Sequence, residues 1–252
     1  VADHGVDRAL VQRVDGAPEL RALAAELARR GVDVQWFTAK QLHRRRLALE
    51  ASVLVAGEIP IVEGALKALG TVIPERSDYP DVLAPWLRRR VWTSTVGAVC
   101  AAFAADEARP MFVKPRGRLE RFTGRVVDSP NELGFLFDVS RHQELWCSER
   151  VRFVSEHRVF VVNGIIVGVR HYAGDAEVTI DRDVVDEAVQ TFERSGEPPR
   201  GYGIDFGVLD DGCTALVEVN DGYGLGSYGL DPSAYTDLTI ARWVELVSGQ
   251  RR

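Results

Sequence analysis

The sequence predicts an α+β protein fronted by a small α/β domain, and three observations lead there. Helix and strand signals alternate over the first ninety residues. Asn163-Gly164 and Asp211-Gly212, turn dipeptides between Val- and Ile-rich runs, mark two antiparallel hairpins in the second half. The helices after Ser94 stand apart from those strands, unlike a second doubly wound sheet.

Pro18 sits where a helix start tolerates proline, opening a helix over Glu19–Arg30 that Gly31 closes. Strands are expected at Val32–Phe37 and Ser52–Val55. Pro60 and Gly70 bracket a second helix, and a short strand at Thr71–Ile73 completes a parallel unit whose exit is marked by prolines 74, 80 and 85. A helix over Ser94–Ala108 leads to the strand Met111–Val113, ended by Lys114-Pro115. The basic loop Arg116–Arg121 and Thr123-Gly124 then precede a strand at Arg125–Asp128. Ser129 as N-cap and Pro130 behind it open a helix over Asn131–Asp138. Glu144–Ser148 is a strand, the two hairpins flank a helix at Arg182–Arg194, and an amphipathic helix at Pro232–Val247 ends the fold.

Composition narrows the functional classes. The 252 residues suffice for a sizeable core, and 46% hydrophobic with 27% charged residues is ordinary for a globular protein. A net charge of −6 argues against coating nucleic acid. Cys100, Cys147 and Cys213 are widely spaced and lack a CxxC pair, which points to a reducing, cytoplasmic compartment and against a zinc site. With no signal peptide and no apolar run near 18 residues, no membrane engagement is expected. Only three of the 31 basic side chains are lysines, so Lys114 at a strand end invites a specific explanation.

The second hairpin carries the strongest chemical signal. A two-residue Asp211-Gly212 turn pairs Asp210 with Cys213 and brings Asp205 opposite Glu218, with Asn220 on the same face. Ile204, Phe206, Val208, Ala215, Val217 and Val219 then form the core face. Two carboxylates ~5 Å apart repel by roughly 3 kcal/mol at an effective dielectric of ~20. Two readings stay open: a hard cation such as Mg²⁺ held by two carboxylates and an amide oxygen, or a pair screened by water.

Other motifs are weaker alone. Gly224, Gly226 and Gly229 match GxGxxG, but no second strand or ribose-binding acid follows, so a glycine loop allowing close backbone approach fits better than a dinucleotide site. Lys114, with Arg116, Arg118 and Arg121 beyond it, suits polyphosphate or else snorkels at a domain edge. In the first hairpin, ideal pairing from Asn163-Gly164 sets Arg158 across from Val169 and His157 across from Arg170. The two arginines then face opposite sides unless a bulge intervenes. Buried guanidinium groups need partners, whether carboxylates or an anionic ligand. The five histidines show no metal or nucleophile spacing.

Together these pieces resemble the ATP-grasp superfamily, in particular a clade of small bacterial and phage ATP-grasp proteins. The resemblance rests on Phe112-Val-Lys114-Pro, on Arg121-Phe-Thr-Gly124, and most specifically on Asp205 followed thirteen residues later by Glu218-Val-Asn220. Glu149 and Glu156 are seven apart, like the family's hinge and ribose acids, and Glu156-His-Arg158 resembles the acid-x-Arg strand of its carboxylate–amine ligases. The resemblance implies an ATP-grasp fold in three parts: a pre-ATP-grasp domain at 1–92, a small subdomain at 93–150 and a C-terminal subdomain with the metal site at 151–252. It also implies ATP and Mg²⁺, with Lys114 on the α- and β-phosphates and Arg121 replacing a lysine beside them. Glu149 would meet adenine and Glu156 the ribose. Arg158 and Arg170 would face the γ-phosphate and acyl phosphate, one of them serving the acceptor if they face opposite sides. Asp205, Glu218 and Asn220 would hold the metal. The implied activity is ligation of a small-molecule or peptide carboxylate to an amine through an acyl phosphate. A phosphotransferase on the same fold and a non-catalytic ATP-binding protein are the alternatives.

Overall fold

In a computed structural model describing residues 5–75, 77–117 and 122–249, the strands form three separate sheets. The first contains β1 (Arg8–Gln12), β2 (Asp33–Phe37) and β3 (Val53–Ala56), parallel and in the order β2-β1-β3. Parallel neighbours need crossovers, and α1 (Pro18–Arg29) and the short α2 (Ala39–His43) provide them; α3 (Ile59–Ala68) follows β3. The expected strand at Thr71–Ile73 does not form. This stretch is unpaired, and Val72 is 88% exposed as the chain leaves toward Pro74.

The second sheet is antiparallel, in the order β4-β7-β5-β6, and comprises β4 (Val91–Thr95), β5 (Met111–Pro115), β6 (Arg125–Val127) and β7 (Glu144–Glu149). The expected helix from Ser94 is shortened to α4 (Val96–Ala104), because Val91–Thr95 pairs with β7. Thr95 then caps α4 by accepting from the Ala98 N–H at 3.2 Å. The segment after Ser129 is a 3₁₀ turn, Pro130–Leu136, and it closes a core of Val99, Phe103, Val113 and Leu145 together with α4.

The third sheet, β11-β10-β8-β9, is built from β8 (Phe153–Val162), β9 (Ile165–Gly174), β10 (Gly201–Leu209) and β11 (Thr214–Asp221). One face packs Val159, Val161, Ile204 and Phe206 against α5 (Arg182–Ser195). Toward one end of the other face, Phe160 and Val162 join a core shared by α6 (Pro232–Val247) and the first sheet. Among the described residues, no helix is long and apolar enough to cross a membrane.

Candidate active site

The site face of β10 is nearly bare. Gly201, Gly203 and Gly207 share it with Asp205, following the two-residue period of a strand. A Cβ at Gly201 would lie 2.5 Å from the Leu238 carbonyl oxygen of α6, and one at Gly207 would lie 2.3 Å from the Phe153 ring. At Gly203 it would crowd Leu225 and the Arg158 Cδ at 3.0 and 3.2 Å. The glycines therefore let a helix, an arginine stem and an aromatic ring lie flush around one carboxylate.

Asp205 does stand opposite Glu218, but through a different turn. The loop is one residue longer: Leu209 N–H bonds to Cys213 O at 2.8 Å, and Gly212 has φ +86. That shifts the register by one, until a bulge at Val217 restores it: Phe206 pairs with Leu216, and Asp205 with Glu218. Val217 is consequently only half-buried, not a core residue as the ideal register requires. Arg89 braces the bulge from outside the sheet, donating to the Leu216 carbonyl at 2.6 Å and the Val217 carbonyl at 3.0 Å.

The first hairpin also contains a bulge, at Val167, and it corrects the expected placement of the arginines. Phe160 pairs with Gly168 and Arg158 pairs directly with Arg170, so both guanidinium groups serve the same face. Arg158 donates through Nε and Nη2 to the two Asp205 carboxylate oxygens, at 2.7 Å each. Arg170 donates to main-chain carbonyls, Gly229 at 3.0 Å and Val169 at 2.9 Å.

Lys114 reaches this face from the second sheet. Its Nζ lies 2.6 Å from Glu218 Oε2, 2.8 Å from Asp78 Oδ2 and 4.6 Å from the centre of the Tyr79 ring. Gly124 permits the approach, since a Cβ there would meet Phe112 at 2.5 Å and the Lys114 Cβ at 3.1 Å. Asn220 bridges the acids, its amide nitrogen 3.1 Å from Asp205 Oδ2 and 3.2 Å from Glu218 Oε1. Arginine and lysine thus already offset the carboxylate repulsion expected from the sequence.

Electrostatics follow from these contacts. Burial pushes the Asp205 carboxyl up to about 6, against the downward pull of Arg158. Burial alone would raise Glu218, but Lys114, Asn220 and Arg158 hold it below its ordinary value. Burial opposes the charge on Lys114, yet Glu218, Tyr79 and Asp78 together keep its ammonium above the ordinary lysine range.

The remaining expected residues line a cleft of about 460 Å³, with Phe112, Ser148 and Glu149 from the second sheet and Phe153, Glu156 and Glu218 from the third. Glu156 accepts from the Tyr172 hydroxyl at 2.7 Å. Glu149 is exposed at the end of β7 and accepts from the Arg90 N–H at 3.0 Å. Arg121 and Arg118 lie outside the described residues, while Arg116 turns away to Glu144 and the Trp146 ring. Sequence reading missed Asp78, Tyr79, Arg89, Tyr172 and Tyr228. The first three sit in the proline-rich exit and the arginine run behind it, where only long-range packing reveals a role. The glycine loop is seated on the first domain rather than held open for a ligand: a Cβ at Gly224 would lie 2.5 Å from Ile59.

The donor set fits a hard cation. Asp205 Oδ2 and Glu218 Oε1 both lie within hydrogen-bond reach of one Asn220 amide, and a half-turn of that amide would offer its oxygen in place of its nitrogen.

Comparison with known proteins agrees with this fold. D-alanine–D-alanine ligase from Bacillus anthracis superposes with a TM-score of 0.58 at 13% identity, covering 96% of each chain. A RimK-domain ATP-grasp protein from Sphaerobacter thermophilus gives 0.54 at 14% identity, covering 96% of this chain and 100% of that one. The macrocyclase MdnC from Microcystis aeruginosa MRC, bound with its precursor peptide MdnA, gives 0.52 at 13%, with the same coverage. No curated protein matches the sequence significantly. Residues 86–238 match a family model described as an ATP-grasp domain, the second family of its clade, and the chain belongs to that family of the ATP-grasp superfamily.

Proposed function

We propose that this chain is an ATP-dependent carboxylate–amine ligase that works through an acyl phosphate and releases ADP and phosphate. The observation that carries the reading is one sheet face gathering Asp205, Glu218 and Asn220 beside two adjacent arginines, with Lys114 delivered from the opposing sheet. The cleft next to that face has room for a nucleotide. In this reading residues 1–92 are the pre-ATP-grasp domain, 93–150 the small subdomain and 151–252 the C-terminal subdomain.

Glu149 and Glu156 would take adenine and ribose at the cleft end. Lys114 would pass from Glu218 and Asp78 to phosphate oxygens, leaving Glu218 with Asp205 and Asn220 to hold Mg²⁺. When bound, that ion would supply charge neutralisation on the terminal phosphates. Arg158, its charge balanced by Asp205, would order the γ-phosphate side. Arg170, bonded to main-chain carbonyls, would meet the substrate carboxylate. A carboxylate oxygen attacks the γ-phosphorus, the bond to ADP breaks, and the amine then displaces phosphate from the acyl carbon while losing a proton. Positioning and charge stabilisation suffice, with no covalent enzyme intermediate. Peptide carboxylates belong among the candidate substrates, since a fold neighbour is bound with a precursor peptide. The three free cysteines fit a reducing cytoplasm.

The test is a turnover screen of mixed carboxylates and amines, scored for ADP against AMP, with hydroxylamine as a trap. ADP with a carboxylate-dependent hydroxamate is the expected result. AMP would indicate an adenylating enzyme, and a stable phosphate ester without hydroxamate would indicate a kinase; either overturns the ligase reading.

A further inference from the structure

Five non-glycine residues among those described have positive φ. Arg45, Arg88 and Asp106 each follow the last cap of a helical segment, where a left-handed residue is common, and Asn163 sits in a hairpin turn that favours it. Tyr228 has neither excuse. With φ +46 at Tyr228, +77 at Gly229, and Leu230 N–H bonded to Ser227 O at 2.8 Å, it occupies the first central position of a type I′ turn. Asparagine or glycine is the natural residue there, and a bulky side chain is strained.

Such strain persists only where the surroundings over-determine it. Core burial does not do so here, because Tyr228 is 47% exposed. Its ring contacts are with the site: it stacks on Tyr172 at 5.1 Å and 23°, and the Arg158 guanidinium carbon lies 5.1 Å from its centre. Tyr172 in turn donates to Glu156, and the next carbonyl, Gly229, accepts from Arg170 at 3.0 Å. One two-residue turn therefore touches both arginines and, through one ring, the cleft acid.

We propose that Tyr228 is a positioning residue, held in a strained turn so that its ring keeps Arg158 against Asp205 while Gly229 aims Arg170. The inference rests on the ligase reading for what the arginines face, namely the terminal phosphate and the substrate anion. Tyr228→Gly and Tyr228→Asn relieve the turn and remove the ring, whereas Tyr228→Phe keeps it.

Calorimetry with Mg–AMPPNP and with AMP, alongside thermal melts of the full chain, tests the proposal. The glycine and asparagine variants should melt close to wild type and bind Mg–AMPPNP about tenfold more weakly. They should bind AMP unchanged, because AMP lacks the phosphates the arginines would meet. Tyr228→Phe should recover the affinity. Unchanged Mg–AMPPNP affinity in the glycine variant would overturn this inference alone. So would a large loss of stability with both ligands weakened alike, the mark of a structural role. A wild type that binds Mg–AMPPNP no better than AMP would sink the ligase reading and this inference with it.

Discussion

Asp205 is 1% exposed, and both of its oxygens are committed to Arg158, itself 7% exposed. Repulsion from Glu218 alone leads one to expect that neutralising Asp205 leaves metal-free stability unchanged or higher. The structure reverses the sign, because Asp205→Asn strands a buried guanidinium. Breaking a buried pair from one side costs about 3–5 kcal/mol. Urea unfolding in the presence of a chelator should therefore show Asp205→Asn to be markedly less stable. Glu218→Gln should cost less, since Lys114 keeps Asp78. Parity between Asp205→Asn and wild type would remove Arg158 from this account. The shared face of the acids and Asn220 was legible in the sequence, because strand periodicity is local. Their cation partners were only half legible. Lys114 stood out by its rarity, but Asp78 and the lysine meet Glu218 only after a second sheet has docked.

At the scale of elements, irregularities decide which side chains meet. In β10–β11 the longer turn and the bulge at Val217 shift the register in opposite senses, so simple counting reaches the right pair by cancellation. In β8–β9 a single bulge separates the turn from the arginines, nothing cancels, and counting places them on opposite faces. Gly168 beside that bulge was a readable signal, because a glycine inside a strand often marks a bulge or a close approach. Leu230 indeed fills the space a Cβ would take there. The Val217 bulge has no such mark and depends on Arg89, which also lies between the Tyr79 and Phe153 rings at 5.9 and 5.5 Å. Arg89→Met should expose two carbonyls to an apolar neighbour, costing about 2 kcal/mol or more. It should also loosen Glu218 and weaken Mg-dependent nucleotide binding. If the variant loses stability while Mg–AMPPNP affinity is untouched, the bulge does not set the metal geometry. β4 was missed because Val91–Thr95 runs straight into α4, although Trp, Thr and Val in succession favour a strand. β1 offers only Ala9, Leu10 and Val11 between polar flanks, too short a run to stand out before its parallel neighbours are in place.

Across the whole molecule, the first sheet is held to the third mainly through α1 and α6, an arrangement invisible to local pattern. Leu23 and Leu27 share one core with Leu238 and Trp243, and a polar network rims it. Glu26 accepts from Arg29 at 2.7 Å and from Arg30 at 2.8 Å, and Arg30 extends across to Asp237 and Ser233 of α6. Hydrogen bonds from Arg29 and then Arg30 lower the Glu26 carboxyl from an ordinary 4.5 to about 2. Because the folded value lies below the unfolded one, the stabilisation is fully present above about pH 4.5 and is lost as pH falls toward about 2. Many other acids titrate in the same window, so the wild-type melting curve alone is uninformative. The difference between wild type and Glu26→Gln isolates the effect. At pH 7 the variant should melt lower, since Arg29 and Arg30 lose a charged acceptor and Arg30 is less firmly aimed at α6. As pH falls from 4.5, the gap should narrow, and it should close near pH 2, where wild-type Glu26 is itself protonated. A gap of constant size from pH 7 to pH 2 would mean that packing of the Glu26 side chain, not its charge, joins the two helices.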